Sequence, residues 1–217
     1  MFLRRLELWP AATNTYLVAP APGGPAVLVD APPDCLDPIQ ELLADHDLIP
    51  VALLVTHGHV DHVGGAGHLT AHTGVTAYIH PEDDFLTSNP TDQLLTLMGM
   101  VPPGDFSPPH RYRELSDGLS LDLAGLRFEV LATPGHTPGH CCFLIADEGV
   151  LFSGDQLFAG SIGRTDLPGG DYFTLMESMK TKVLPLDDQV EVMPGHGSAT
   201  TIGRERRSNP FLIGEGI

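Results

Sequence analysis

Short β-rich runs broken by Gly and Pro clusters dominate the first part of the chain. Thr15–Ala19 and Ala26–Asp30 are strands flanking Pro20-Ala-Pro-Gly-Gly-Pro25, a turn-forming cluster. Leu36–Leu43 has helical apolar spacing, and Pro50 then leads into Val51–Thr56, apolar enough to be a buried strand. A Gly-rich helix over Gly64–Thr73 stops at Gly74, and Val75–Ile79 is a further strand. His80–Tyr112 is irregular, with one helix (Thr91–Met98) and two Pro pairs; it reads equally as a functional loop or a rigid excursion. Regular patterning then resumes. Leu119–Leu123 and Leu126–Leu131 flank Ala124-Gly125 as a hairpin, and Cys141–Ala146 and Val150–Ser153 form a second. A helix over Tyr172–Leu184, a strand over Val190–Met193 and a helix near Thr200–Arg207 follow. Each half runs from strands to helices, which predicts an α/β fold of two sheets packed face to face with helices outside.

Composition narrows the function. The 217 residues carry 28 acidic and 11 basic side chains, a formal charge of −17, and the only lysines are Lys180 and Lys182. Binding a phosphate backbone needs a patterned excess of bases, so nucleic acid is disfavoured as a partner. The run Val51–Val55 is far shorter than the roughly 18 residues of a membrane span, and Glu7 and Pro10 break any signal peptide after Arg4-Arg5. Three cysteines, Cys35 and the adjacent Cys141 and Cys142, make a poor disulfide framework and fit a reducing, cytoplasmic compartment. Two adjacent cysteines in a strand should not both face inward. Length favours one domain over residues 1–217, and the oligomeric state is open.

The stretch Thr56-His-Gly-His-Val-Asp-His62 carries chemistry. His57 and His59 are two apart on extended chain and point the same way, so both can converge on one ion. Asp61 and His62 follow where the chain bends into a helix. Three imidazoles and a carboxylate suit borderline divalent metals. Further ligand types appear at strand ends, each after a glycine: His136 in Leu131-Ala-Thr-Pro-Gly-His136, Asp155 in Phe152-Ser-Gly-Asp155, and His196 in Val192-Met-Pro-Gly-His196. For the other histidines (His46, His68, His72, His80, His110 and His140) a purely structural place is the better reading, and a supporting role is conceivable only for His140, because it lies so near His136.

These motifs, with Asn14-Thr-Tyr-Leu-Val18 and Val27-Leu-Val-Asp30, resemble the metallo-β-lactamase superfamily across nearly the whole chain. The resemblance implies an αββα sandwich of two mixed β-sheets flanked by helices. It assigns His57, His59 and His136 to one metal, Asp61, His62 and His196 to a second, and Asp155 to both, with the ions about 3.5–4 Å apart and sharing a hydroxide. Two divalent ions are implied, zinc first, with iron or manganese as alternatives. The segment Gln156–Asp171, with Gly195–Gly203 and Glu205…Leu212, resembles the short glyoxalase II-like branch. That branch implies hydrolysis of a small-molecule thioester such as S-lactoylglutathione. Full-length glyoxalase II has a C-terminal helical extension that holds glutathione; only five residues follow Leu212 here, so no separate glutathione-binding domain is expected. Arg164 stands where those enzymes place a glutathione-binding lysine, and either binds a substrate carboxylate or pairs internally with Asp166. A mononuclear iron persulfide dioxygenase of the same superfamily is the alternative activity.

Overall fold

A computed structural model describes residues 1–104, 106–109 and 111–213; His110 lies outside them. Contacts divide the chain into two units: Met1–Leu115 with Asp122–Leu126, and Ser116–Leu121 with the chain from Arg127 onward.

The first unit holds a six-stranded sheet in sequence order: β1 (Phe2–Leu8), β2 (Thr13–Ala19), β3 (Gly24–Val29), β4 (Leu48–Leu54), β5 (Thr76–Ile79) and β6 (Tyr112–Glu114). The first two pairings are antiparallel and the last three parallel. Parallel neighbours need crossovers, and helices supply them. Helix α1 (Leu36–Asp45) buries Leu36, Ile39 and Leu43 at helical spacing. These residues join Leu28, Leu53 and Leu69 in one apolar cluster. Helices α2 (Val60–Val63), α3 (Ala66–Thr73), α4 (Asp84–Thr87) and α5 (Pro90–Met98) complete the unit.

Two features of this unit differ from expectation. The helix predicted over Gly64–Thr73 forms as α3 from Ala66, and its first two residues instead link α2 to α3: Gly65 N–H donates to Ala31 O at 2.9 Å, and a Cβ on Gly65 would lie 2.2 Å from Pro32 O. The expected helix over Thr91–Met98 forms as α5, and at the end of the irregular stretch Tyr112 opens an unexpected strand, β6, whose three residues are all exposed.

The second sheet begins with β7 (Ser120–Leu123), β8 (Leu126–Ala132), β9 (Cys141–Ile145) and β10 (Val150–Gly154). A small hairpin, β11 (Leu157–Phe158) with β12 (Ser161–Ile162), follows, then α6 (Tyr172–Ser178), β13 (Glu191–Pro194), β14 (Thr200–Thr201), α7 (Ile202–Ser208) and α8 (Pro210–Ile213). The sheet order is β14-β13-β10-β9-β8-β7, with β10 and β13 parallel and the β9–β10 and β13–β14 pairs antiparallel. Both turn residues Ala124 and Gly125 have positive φ (54° and 79°), as a two-residue hairpin connection requires. The helix expected over Tyr172–Leu184 keeps its span but widens into π geometry at Met179–Val183. Cys141 and Cys142 are both fully buried. Strand β9 is buried at every position, so the two side chains are both enclosed while pointing to opposite faces, as strand alternation requires. The chain is thus α/β, with two mixed sheets flanked by helices.

Candidate metal centre

In the first unit the donors follow β4, whose buried end delivers Thr56 and His57 to the head of the sheet. His57 Nε2 lies 3.1 Å from His59 Nδ1, so the two imidazoles converge as their alternation predicted. Helix α2 then carries Asp61 and His62, with His62 Nε2 3.6 Å from Asp61 Oδ2. Thr13 Oγ1 donates to Asp61 Oδ2 at 3.0 Å.

A residue not singled out as a ligand orders this set. Asp30, buried at the end of β3, accepts from Thr56 N–H (2.7 Å) through Oδ1; its Oδ2 accepts from Thr56 Oγ1 (2.9 Å) and His62 Nδ1 (2.8 Å). The carboxylate only accepts, so His62 carries its proton on Nδ1 and presents a lone pair at Nε2. Because the Thr56 hydroxyl gives its proton to Asp30, it accepts from His57 Nδ1 at 3.0 Å, leaving a lone pair on His57 Nε2 too. One buried carboxylate thereby sets the tautomers of two donors. Its signal in the sequence was an acid ending an apolar run, at a positive φ of 62°.

The second unit repeats the logic. His136 follows the β8 strand through Pro134-Gly135. Gly135 has φ 135°, and a Cβ there would sit 2.2 Å from Leu175 N, so only glycine lets the turn pack on α6. Asp155 and His196 come from the parallel neighbours β10 and β13, joined just past their ends by Gly195 N–H donating to Gly154 O at 2.7 Å. Asp155 Oδ2 lies 3.5 Å from His136 Nε2 and 3.4 Å from His196 Nε2. His136 Nδ1 donates to the Arg164 carbonyl at 2.7 Å, which again leaves Nε2 as the donor atom. His140 Nε2 accepts from Asp155 N–H at 3.0 Å, and Thr133 Oγ1 lies 2.8 Å from its Nδ1. The supporting role conceivable for His140 is therefore what it performs.

The spacings test the fit to a metal. Two ligands of one tetrahedral ion at about 2.0–2.1 Å lie roughly 3.3 Å apart. A charge-assisted hydrogen bond would close to about 2.7–2.9 Å. The separations of 3.1–3.6 Å match the first pattern, and imidazole with carboxylate is a donor set for borderline divalent ions.

The Arg164 guanidinium binds Asp166 bidentately, with both distances 2.7 Å. Both side chains are more than half exposed. Arg164 holds the Asp166 carboxyl down to about 2, and the same bond raises the Arg164 guanidinium.

A family model described as Metallo-beta-lactamase superfamily matches residues 8–196, a span that includes every donor above. The chain belongs to the metallo-β-lactamase superfamily. Among its relatives, the protein named hydroxyacylglutathione hydrolase GloC of Haemophilus influenzae is 42% identical over 205 residues, covering 94% of this chain and 90% of GloC. Two solved structures share the fold. One is BLEG-1, a B3 metallo-beta-lactamase (TM-score 0.88, 34% identity, covering 97% of this chain and 99% of that one). The other is TTHA1623 in a di-iron-bound form (TM-score 0.85, 40% identity, covering 96% and 100%). As a superfamily member, the chain has the two mixed β-sheets flanked by helices of the metallo-hydrolases.

Proposed function

We propose that the protein is a binuclear metallohydrolase that cleaves a small-molecule thioester such as S-lactoylglutathione. The observation that carries the thioester reading is the 42% identity to GloC over 94% of this chain. The donor chemistry supports a metal-dependent reaction. His57, His59 and His136 would hold one ion, Asp61, His62 and His196 the other, and Asp155 both. Bound there, divalent ions supply a hydroxide nucleophile at neutral pH and a Lewis acid for the carbonyl oxygen. The residues of the chain do the rest: Asp30 keeps His57 and His62 in the ligating tautomer, the Arg164 carbonyl does so for His136, and His140 holds the Asp155 backbone. Zinc is our first choice of metal, and the di-iron form of TTHA1623 makes iron the one to test against it.

We read residues 1–217 as one superfamily domain in the cytoplasm. Support comes from a family match extending through both units and from three buried thiols. Among the described residues no helix is long and apolar enough to cross a membrane.

The test is a metal-reconstituted assay with two substrates. Loss of the S-lactoylglutathione absorbance in the presence of zinc or iron is expected. Oxygen uptake and sulfite formation from glutathione persulfide, with no thioester turnover, would replace this reading with the iron dioxygenase. Metal analysis of the isolated protein fixes the ion.

A further inference from the structure

The loop that carries His57, His59, Asp61 and His62 is gripped from α5 by one side chain. Gln93 Oε1 accepts from Val60 N–H at 3.0 Å, while its Nε2 donates to Gly58 O at 2.8 Å and to Leu86 O at 3.0 Å. Asp83 Oδ2 accepts from Gly58 N–H at 2.7 Å. Two side chains from the irregular stretch thus hold three backbone polar groups on either side of His59. The Gln93 amide uses its oxygen and both its N–H groups, so its orientation is determined: the flipped amide would set a donor against Val60 N–H. The contact is close as well as polar. A Cβ on Gly58 would lie 2.8 Å from Leu86 Cβ and 3.0 Å from Asp83 Cβ, and Val60 is buried in a cluster with Leu94 and Phe106.

The geometry of α2 explains why such a grip is needed. His59 occupies its N-cap position with extended backbone (φ −67°, ψ 143°), and its side chain makes no capping bond. An N-cap side chain ordinarily satisfies one of the first free N–H groups of the helix. Here Gln93 satisfies the Val60 N–H, the first free group of the helix, while the His59 imidazole makes no capping bond and is left to meet His57. We propose that Gln93 is a positioning residue for His59, capping α2 from a neighbouring helix so that a ligand can stand where a cap would. The inference rests on the reading of His57 and His59 as metal donors.

The experiment compares wild type, His59→Ala, Gln93→Met and Asp83→Asn by competitive chelator titration and by the visible spectrum of the cobalt-substituted proteins. Gln93→Met keeps the length of the side chain and removes all three hydrogen bonds. It should bind metal about 10- to 100-fold more weakly, the usual range for an outer partner of a ligand. At full cobalt saturation its spectrum should differ from wild type, which a purely structural loss would not cause. Asp83→Asn keeps an acceptor for Gly58 N–H but loses the carboxylate charge, so it should weaken metal binding less than Gln93→Met does; a larger loss than in Gln93→Met would overturn the assignment of the grip to Gln93. Wild-type affinity and an unchanged cobalt spectrum in Gln93→Met, with His59→Ala impaired, would overturn the positioning role. Absence of tight metal binding in wild type would instead overturn the donor reading beneath it. Should Gln93→Met not fold, Gln93→Glu carries the same two outcomes, since it keeps the acceptor for Val60 N–H but loses both donors.

Discussion

Gly163 offers the sharpest test of how the second donor set is built. It lies in the turn after β12, where a Cβ would fall 1.8 Å from Asp155 O and 3.1 Å from His136 Nδ1. Real Cβ atoms essentially never approach closer than 3.0 Å, so Gly163→Ala must open a gap of about 1.2 Å against backbone that cannot rotate away. The atoms that must yield belong to two donors at once. Overpacking of this kind costs about 1–3 kcal/mol. For a chain of this size that lowers Tm by about 2–12 °C, since each kcal/mol shifts it by about 2–4 °C. The functional loss should be larger, because a displacement of about 1 Å at a reacting centre costs on the order of 100-fold in rate. Gly160→Ala is the matched control. Its φ is 73°, so alanine there is strained, yet nothing lies within 4 Å of the added carbon. Left-handed backbone costs about 1–2 kcal/mol, so the control should melt early while keeping its metal. Thermal melts, metal stoichiometry and thioester kinetics on both variants decide the matter. If Gly163→Ala held full metal and wild-type kcat, the close approach would have no bearing on the donors.

Four other outcomes follow from the same contacts. Asp30→Asn sets a donor against one of its three donor partners, so metal affinity measured by chelator competition should fall about 10- to 100-fold; equal affinity would remove Asp30 from the control of tautomers. Glu205, buried on α7, accepts from Gly160 N–H (2.7 Å), Thr200 Oγ1 (2.6 Å) and Asn209 Nδ2 (2.9 Å). Glu205→Leu leaves those donors without it and should cost about 3 kcal/mol or more in urea unfolding, with a loss below about 1 kcal/mol counting against it. Burial pushes the Cys35 and Cys142 thiols up to about 12 from 9.0. A raised folded pKa means stability is complete below pH 9 and is lost as pH rises toward 12, by about 1.4 kcal/mol per thiol at pH 10; unfolding curves at pH 8 and pH 10 check the sign. Finally, kcat/KM for an anionic thioester should rise with ionic strength as salt screens its repulsion from a chain of net charge −17, and a fall would indicate attraction instead.

Local chemistry explains what could be read in advance. The strands β2 to β5 and the two hairpins announce themselves through apolar runs and through turn residues that need positive φ, and both are properties of a few adjacent residues. The proposed donors were legible because three histidines and an acid crowd into His57–His62, and because glycine followed by His or Asp recurs at three further strand ends. Strand β1 was missed because Arg4 and Arg5 interrupt its apolar positions; pairing with β2 makes it a strand. Strand β6 has two charged residues, Arg113 and Glu114, beside one exposed tyrosine, and it exists through parallel pairing with β5. Gln93, Thr56 and the Arg164 carbonyl are ordinary groups whose importance arises from what stands opposite them in space. No spacing rule reports that. The same holds for Gly163, which resembles any turn glycine until the Asp155 carbonyl is placed beside it.

The charge of the chain bears on which part of a substrate the enzyme can recognise. Of the 11 basic side chains, Arg164 is paired with Asp166, Lys182 with Asp117, and Arg206 and Arg207 with Asp188. Such exposed pairs contribute little to stability, but they reduce the positive potential that would gather an anion. On the proposed thioester reading, the carboxylates of a glutathione conjugate would meet a strongly acidic surface on which 4 of the 11 bases are already committed to acids. On that reading, the thioester carbonyl would make its main interactions among the donors that Asp30, Gln93 and the Arg164 carbonyl keep in place. Interactions at that oxygen strengthen as charge develops on it, so they lower the barrier more than they tighten the ground-state complex. On the thioester reading, a site built this way would raise kcat more than it lowers KM.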